Sequence, residues 1–158
     1  MCIRDSFSYH ELEFIKAEAY VRLGGASNLA LAKTALKKAI SAAFQKPNVG
    51  LTAAEADTYF TDNVEALFDA DPLSEVMNQK YIAFYEEEAL EAYSDIRRLD
   101  AMGDDVIELK NPYNQTVGFP QRFTYGSADV TTNPNVAAAY GDGSYVYTEK
   151  VWWAGGTR

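Results

Sequence analysis

"FIKAEAYVRLGGASNLALAKTALKKAI", residues 14–40, reads as two helices with a turn between them. Gly24-Gly25 interrupts a run that is otherwise rich in good helix formers. Glycine is poor inside a helix and favoured just past its end, where a left-handed backbone closes the last turn. Upstream, Ser8-Tyr9-His10-Glu11 has the spacing of a capping box, in which the serine side chain caps a backbone N–H and the glutamate reciprocates. The first helix is therefore predicted to run to about Leu23, with Leu12, Ile15, Ala19 and Leu23 on one face. Asn28 is a candidate cap for a second helix over Leu29–Phe44. Its stripe is Ala32, Leu36, Ala39, Ile40 and Ala43, small enough for the two helices to approach closely. Pro47 and Gly50 close the segment.

The signals continue downstream. Thr52-Ala53-Ala54-Glu55 is a second capping box, and Tyr59, Phe60, Val64, Leu67 and Phe68 follow at helical spacing with a weak point near Thr61. Asp71-Pro72 pairs a capping carboxylate with proline at the first helical position. A helical pattern then runs through Met77, Tyr81, Tyr85, Ala89, Tyr93 and Ile96 to about Ala101, with Gly103 as its stop. At about thirty residues this is long for a globular helix, so a break is expected near residues 86–88. After Gly103 the chain turns rich in Asn, Thr, Gly, Pro and aromatics, with one short helix signalled by Asn133-Pro134. The predicted fold is mainly α: a tetratricopeptide-like helix hairpin plus further helices to about residue 102, then a long irregular segment over 103–158. The hairpin unit occurs once, which argues against a solenoid array within the chain.

With 158 residues the chain is long enough to bury a core as one domain. A net charge of −9 argues against nucleic acid, whose binding depends on basic side chains releasing counterions from phosphates. No apolar run reaches the length of a membrane span. Met1–Ser6 has no apolar signal-peptide core and reads like a translated sequencing adaptor, so it is taken as a non-native leader. The lone cysteine, Cys2, permits no internal disulfide, and the lone histidine, His10, is the only one available to a triad. A zinc site would lack its usual ligands, and neither "FDADPLSE" nor "GDGSYV" fits a calcium loop. His10 is expected to be a surface or packing residue. The sequence implies no metal and no cofactor.

"EALEAYSDIRRL", residues 88–99, is the densest chemistry. Glu88, Glu91, Asp95 and Arg98 fall at spacings that share one helix face. Paired carboxylates serve glycosidases, but any acidic helix face supplies such spacings, so a salt-bridged brace is the default reading. A di-metal site would need Glu-x-x-His pairs that the chain lacks. Trp152 and Trp153, if extended, would face opposite ways. Together with Tyr113 and Tyr125 they are the candidate ligand-binding aromatics.

Four ordered blocks then resemble one family. They are "FIKAEAYVRLG" (14–24), "QKYIAFY" (79–85) followed by "EALEAYSDIRRL", "GFPQRFTYGSADVTTNP" (118–134) and "TEKVWWA" (148–154). In this order they resemble the C-terminal part of SusD/RagB-family outer-membrane lipoproteins, over nearly the whole chain from about Phe7. The resemblance implies a surface nutrient-binding protein rather than an enzyme. Such a protein is a lid partner of a TonB-dependent transporter and captures oligosaccharides or peptides. It also implies that Glu91, Asp95, Arg97 and Arg98 are structural braces and that ligand contacts lie on variable loops. The chain would be the last portion of a longer protein, and its hairpin would keep an apolar face, with Phe14, Val21, Leu29 and Leu31 exposed. The alternative reading is a helical tetratricopeptide-like scaffold module that binds protein.

Overall fold

The computed structural model describes residues 8–85, 87–104, 106–107 and 118–156. Residues 1–6, expected to be a non-native leader, and Tyr113 lie outside them, as does the side chain of Trp153. The chain divides into two compact units, Met1–Ile107 and Glu108–Arg158. Among the described residues it is mainly helical, without strands.

The first unit begins with the hairpin. Helix α1 (Tyr9–Leu23) starts where Ser8 Oγ accepts from the Glu11 N–H at 3.2 Å. It stops at Gly24 and Gly25, whose φ values of 69° and 82° suit glycine alone. Helix α2 (Ala26–Phe44) begins three residues earlier than the cap at Asn28 would have it. Asn28 instead donates its side-chain N–H back to Gly24 O at 2.8 Å, tying the new helix to the turn. The alanine-rich stripe of α2 is buried as the spacing required: Ala32, Leu36 and Ala39 have no exposure.

The buried face of α1 is not the predicted one. Phe14 and Ala17 are fully buried, with His10 and Glu18 beside them, while Leu12, Ile15 and Leu23 stay exposed. The reason is visible in the partners. His10 and Glu18 are buried where residues far along the chain, Glu88 and Arg98, pair with them, and no local period encodes that. Of the four residues expected to be exposed, Phe14 is in the core, Val21 and Leu29 are half-buried, and Leu31 is 46% exposed.

Helix α3 (Ala53–Tyr59) opens with a complete capping box between Thr52 and Glu55. The weak point near Thr61 is a π-helical turn, Phe60–Val64, leading into α4 (Glu65–Ala70). There Thr61 and Asn63 donate side-chain hydrogen bonds to the Asp57 and Tyr59 carbonyls, competing with the regular ladder. Asp71 caps α5 (Pro72–Ala83), accepting from Ser74 N at 3.2 Å. The break falls where it was expected, before α6 (Ala89–Met102). Because of it the two halves do not share one face. Tyr81, Tyr85 and Tyr93 are exposed, and the buried apolar positions are Val76, Met77, Phe84, Ala92 and Leu99.

The second unit holds α7 (Ser127–Thr132), α8 (Pro134–Tyr140) and α9 (Tyr145–Thr148), with Asn133 capping α8 as its Asn-Pro signal requires. Trp152 and Trp153 sit in a 3-10 turn, Trp152–Ala154, rather than on an extended segment, so the alternation expected of them does not apply. No helix among the described residues is long and apolar enough to cross a membrane.

Candidate functional site

One feature with ligand-site character is a cleft of about 380 Å³ in the first unit. It is assembled from the end of α2, the 45–51 loop, Tyr59 of α3 and the last turn of α5. Phe14, Ile40 and Ala43, all buried, form its floor. Phe44 and Tyr59 form one wall, their rings 5.2 Å apart and tilted by 40°. Ile82 and Tyr85, 58% and 80% exposed, stand at the mouth. An apolar concavity with a few placed polar groups is the usual form of a small-ligand site.

Those polar groups are tied down. Tyr59 Oη donates to Gln79 Oε1 at 3.2 Å, and Gln79 Nε2 donates to Glu75 Oε1 at 2.8 Å. Burial pushes the Glu75 carboxyl above its ordinary value, against the hydrogen bond from Gln79. Lys46 donates to the Ala83 carbonyl at 3.0 Å and lies 4.0 Å from Glu87. Lys46 thus pins the 45–51 loop to the end of α5.

The same corner is held from below by His10. Its Nε2 lies 2.8 Å from Glu88 Oε2 and 3.2 Å from Ser8 Oγ, and its ring meets the edge of Phe84 at 5.8 Å. Both polar partners use one nitrogen, so this is a latch between α1 and the α5–α6 corner, not a Ser-His-acid relay. Burial lowers the imidazole below its ordinary 6.5; Glu88 opposes this and Lys46 adds to it. With the folded value depressed, the stability contribution is intact above about 6.5 and is lost as the pH falls through the folded value. Since His10 is the only histidine, one imidazole resonance reports it. An NMR titration is expected to give a midpoint below 6.5, and His10→Gln to flatten the loss of stability toward acid. A midpoint above 6.5 would contradict the burial argument.

The residues of 88–99 separate in the structure. Arg98 holds Glu18 with both guanidinium ends, at 2.7 and 2.8 Å, and reaches Asp95 at 2.9 Å. Asp95 also accepts from Lys80 at 2.5 Å, and Arg22 joins Glu18 to Asp104 at 2.8 and 2.9 Å. Burial pushes the Glu18 carboxyl up, and the hydrogen bonds from Arg98 and Arg22 outweigh it, holding it below its ordinary range. The network joins α1, α5 and α6. Glu91 is exposed and takes no part in these ion pairs among the described residues. Arg97 donates to Tyr93 Oη at 3.0 Å and lies over that ring. Among the described residues no three His, Cys, Asp or Glu side chains are grouped as a metal would need.

In the second unit, Tyr125, Tyr140 and Tyr145 pack ring to ring at 4.8–5.8 Å. Arg122 lies against the Tyr125 and Tyr145 rings, at 5.4 and 5.3 Å. The ring of Tyr125 is therefore committed to its own unit, whereas Trp152 is 62% exposed. Sequence reasoning missed the cleft because Phe44, Tyr59 and Gln79 fall on three elements and look like core positions.

Compared with known proteins, residues 5–126 match a SusD-like family described as starch-binding and associating with the outer membrane. The chain is similar to a SusD/RagB family protein of Bacteroides thetaiotaomicron VPI-5482, known from a 1.75 Å crystal structure. They share 43% identity with a TM-score of 0.59, over 96% of this chain and 35% of the other, so the chain spans about a third of that protein's length. No curated protein matches the chain.

Proposed function

The chain belongs to the SusD-like family, and on that basis we propose that it is part of a surface glycan-binding lipoprotein that acts as the lid partner of a TonB-dependent outer-membrane transporter. The observation that carries this reading is the family match over residues 5–126. In this role the protein binds an oligosaccharide, or a peptide, without changing it. It is a capture protein and not an enzyme. The aromatic-lined cleft supports it, because aromatic faces and a few fixed hydrogen-bonding groups suit sugar rings. Asp95, Arg98, Glu18 and Lys80 act as a brace between helices in this reading, not as an acid/base site.

The exposed apolar row Leu12, Ile15 and Leu23 supports a protein-facing role for the outer side of α1. It suits packing against further parts of a SusD-like protein or against the transporter. The same row is the feature that favours the second reading, a helical scaffold module that binds protein. Titration with neutral oligosaccharides, with an assay for newly released reducing ends, separates capture from both scaffolding and hydrolysis.

A further inference from the structure

We propose that the cleft between α2, α3 and α5 is a subsite for one acetylated sugar ring of the N-acetylhexosamine type, its acetyl methyl resting on the apolar floor. The proposal rests on the glycan-binding reading above and assigns a place and a preference to it.

Charge comes first. Lys46 is the only ionic side chain lining the cleft among the described residues, and it is answered by the Ala83 carbonyl and by Glu87. The cleft thus offers no uncompensated charge, and an uncharged occupant fits it. Size comes next. At about 380 Å³ the cleft is near the small end of ligand pockets, which run from about 300 to 1,000 Å³. That suits about one or two rings rather than a long glucan helix.

The balance of surfaces selects the kind of ring. The floor is Phe14, Ile40 and Ala43, of which Ala43 keeps some accessible surface, continued by the half-buried Phe44 and Ala83, and none of these side chains can hydrogen-bond. A plain hexose carries hydroxyls around its whole perimeter, and those turned to this floor would be buried without partners. An acetamido group replaces one hydroxyl with a methyl for the floor, a carbonyl acceptor and an N–H donor. The walls match these. The Lys46 ammonium has donors beyond the one used on Ala83 O, and Tyr59 Oη, whose proton goes to Gln79, keeps an oxygen that accepts. Tyr85, 80% exposed at the mouth, presents a ring face for the sugar's C–H side.

The test uses the full chain and two β-1,4 trisaccharides that differ in their 2-substituents, chitotriose (acetamido) and cellotriose (hydroxyl). Chitotriose is expected to bind about tenfold or more tightly, the range in which a hydrophobic pocket discriminates one small apolar group. Two substitutions test the placement, each with thermal melting as its check on folding. Tyr85→Ala deletes the platform at an exposed position and should weaken both sugars alike. Ala43→Leu fills the floor, removes no hydrogen bond and should remove the preference. Equal affinities for the two sugars, or a preference that survives Ala43→Leu, would overturn the subsite. If other oligosaccharides still bound in that case, glycan capture would stand while the cleft assignment fell. If no oligosaccharide bound at all, both would fall.

Discussion

Phe84→Ala is expected to cost about 3–5 kcal/mol of stability, the usual range for deleting a fully buried aromatic side chain. Phe84 has no exposed surface and sits where three elements meet. It is edge-on to Phe14 at 6.3 Å and to His10 at 5.8 Å, and the Lys80 ammonium lies 5.2 Å from its ring. It also ends α5, at the turn that lets α6 restart in a new phase. Truncation would open a cavity beneath that turn and loosen the cleft mouth beside it. Urea unfolding should show a lower midpoint with an unchanged slope. The neighbour Tyr85 is the control: its exposed side chain predicts a change within about 0.5 kcal/mol for Tyr85→Ala. Equal effects at the two positions would mean that the corner is not packed as described.

Asp95→Asn is expected to cost about as much, roughly 3–5 kcal/mol, because it strands a buried cation. The Lys80 side chain is 5% exposed, and Asp95 is its ion-pair partner. Arg98 would keep Glu18, so the loss centres on Lys80. The double variant Lys80→Met with Asp95→Asn should recover much of the stability, since no unpaired charge is then left inside. Glu91→Gln, at an exposed position outside the network, should change stability by no more than about 0.5 kcal/mol. Thermal or urea unfolding of the three variants checks this. A Glu91 effect as large as that of Asp95 would restore the grouping suggested by the sequence.

The legible parts of the fold were those written in short-range chemistry. Ser8, Thr52, Asp71 and Asn133 cap helices by reaching backbone N–H groups two or three residues away, and each could be placed from spacing alone. Gly24-Gly25 and the break before Ala89 are local in the same way. The face of α1 was not legible. Leu12, Ile15 and Leu23 make an apolar row, and periodicity points it inward. The structure instead buries Glu18, because Arg98, eighty residues further along, supplies its counter-charge. His10 is likewise buried through Glu88. Long-range pairing, an ion pair at Glu18 and a hydrogen bond at His10, overrode the local pattern twice on one helix. The cleft was hidden for a related reason. Its walls come from α2, a loop, α3 and α5, and the apolar contributors Ile40, Ala43, Phe44 and Tyr59 look like ordinary core residues in their own segments. The family blocks carried what periodicity could not, since they are recognised by order and identity rather than by local physics.

The decisive measurement is calorimetric titration of the chain with a panel of neutral oligosaccharides at low and high salt, with reducing ends assayed in the same samples. Capture of an uncharged glycan by aromatic faces and hydrogen bonds releases no counterions, so the predicted result is saturable binding whose affinity changes less than about twofold with salt, with no new reducing ends. Steeply salt-dependent binding would contradict a neutral ligand. Release of new reducing ends would show that the carboxylates perform chemistry, and the reading of this protein as a capture protein would be wrong.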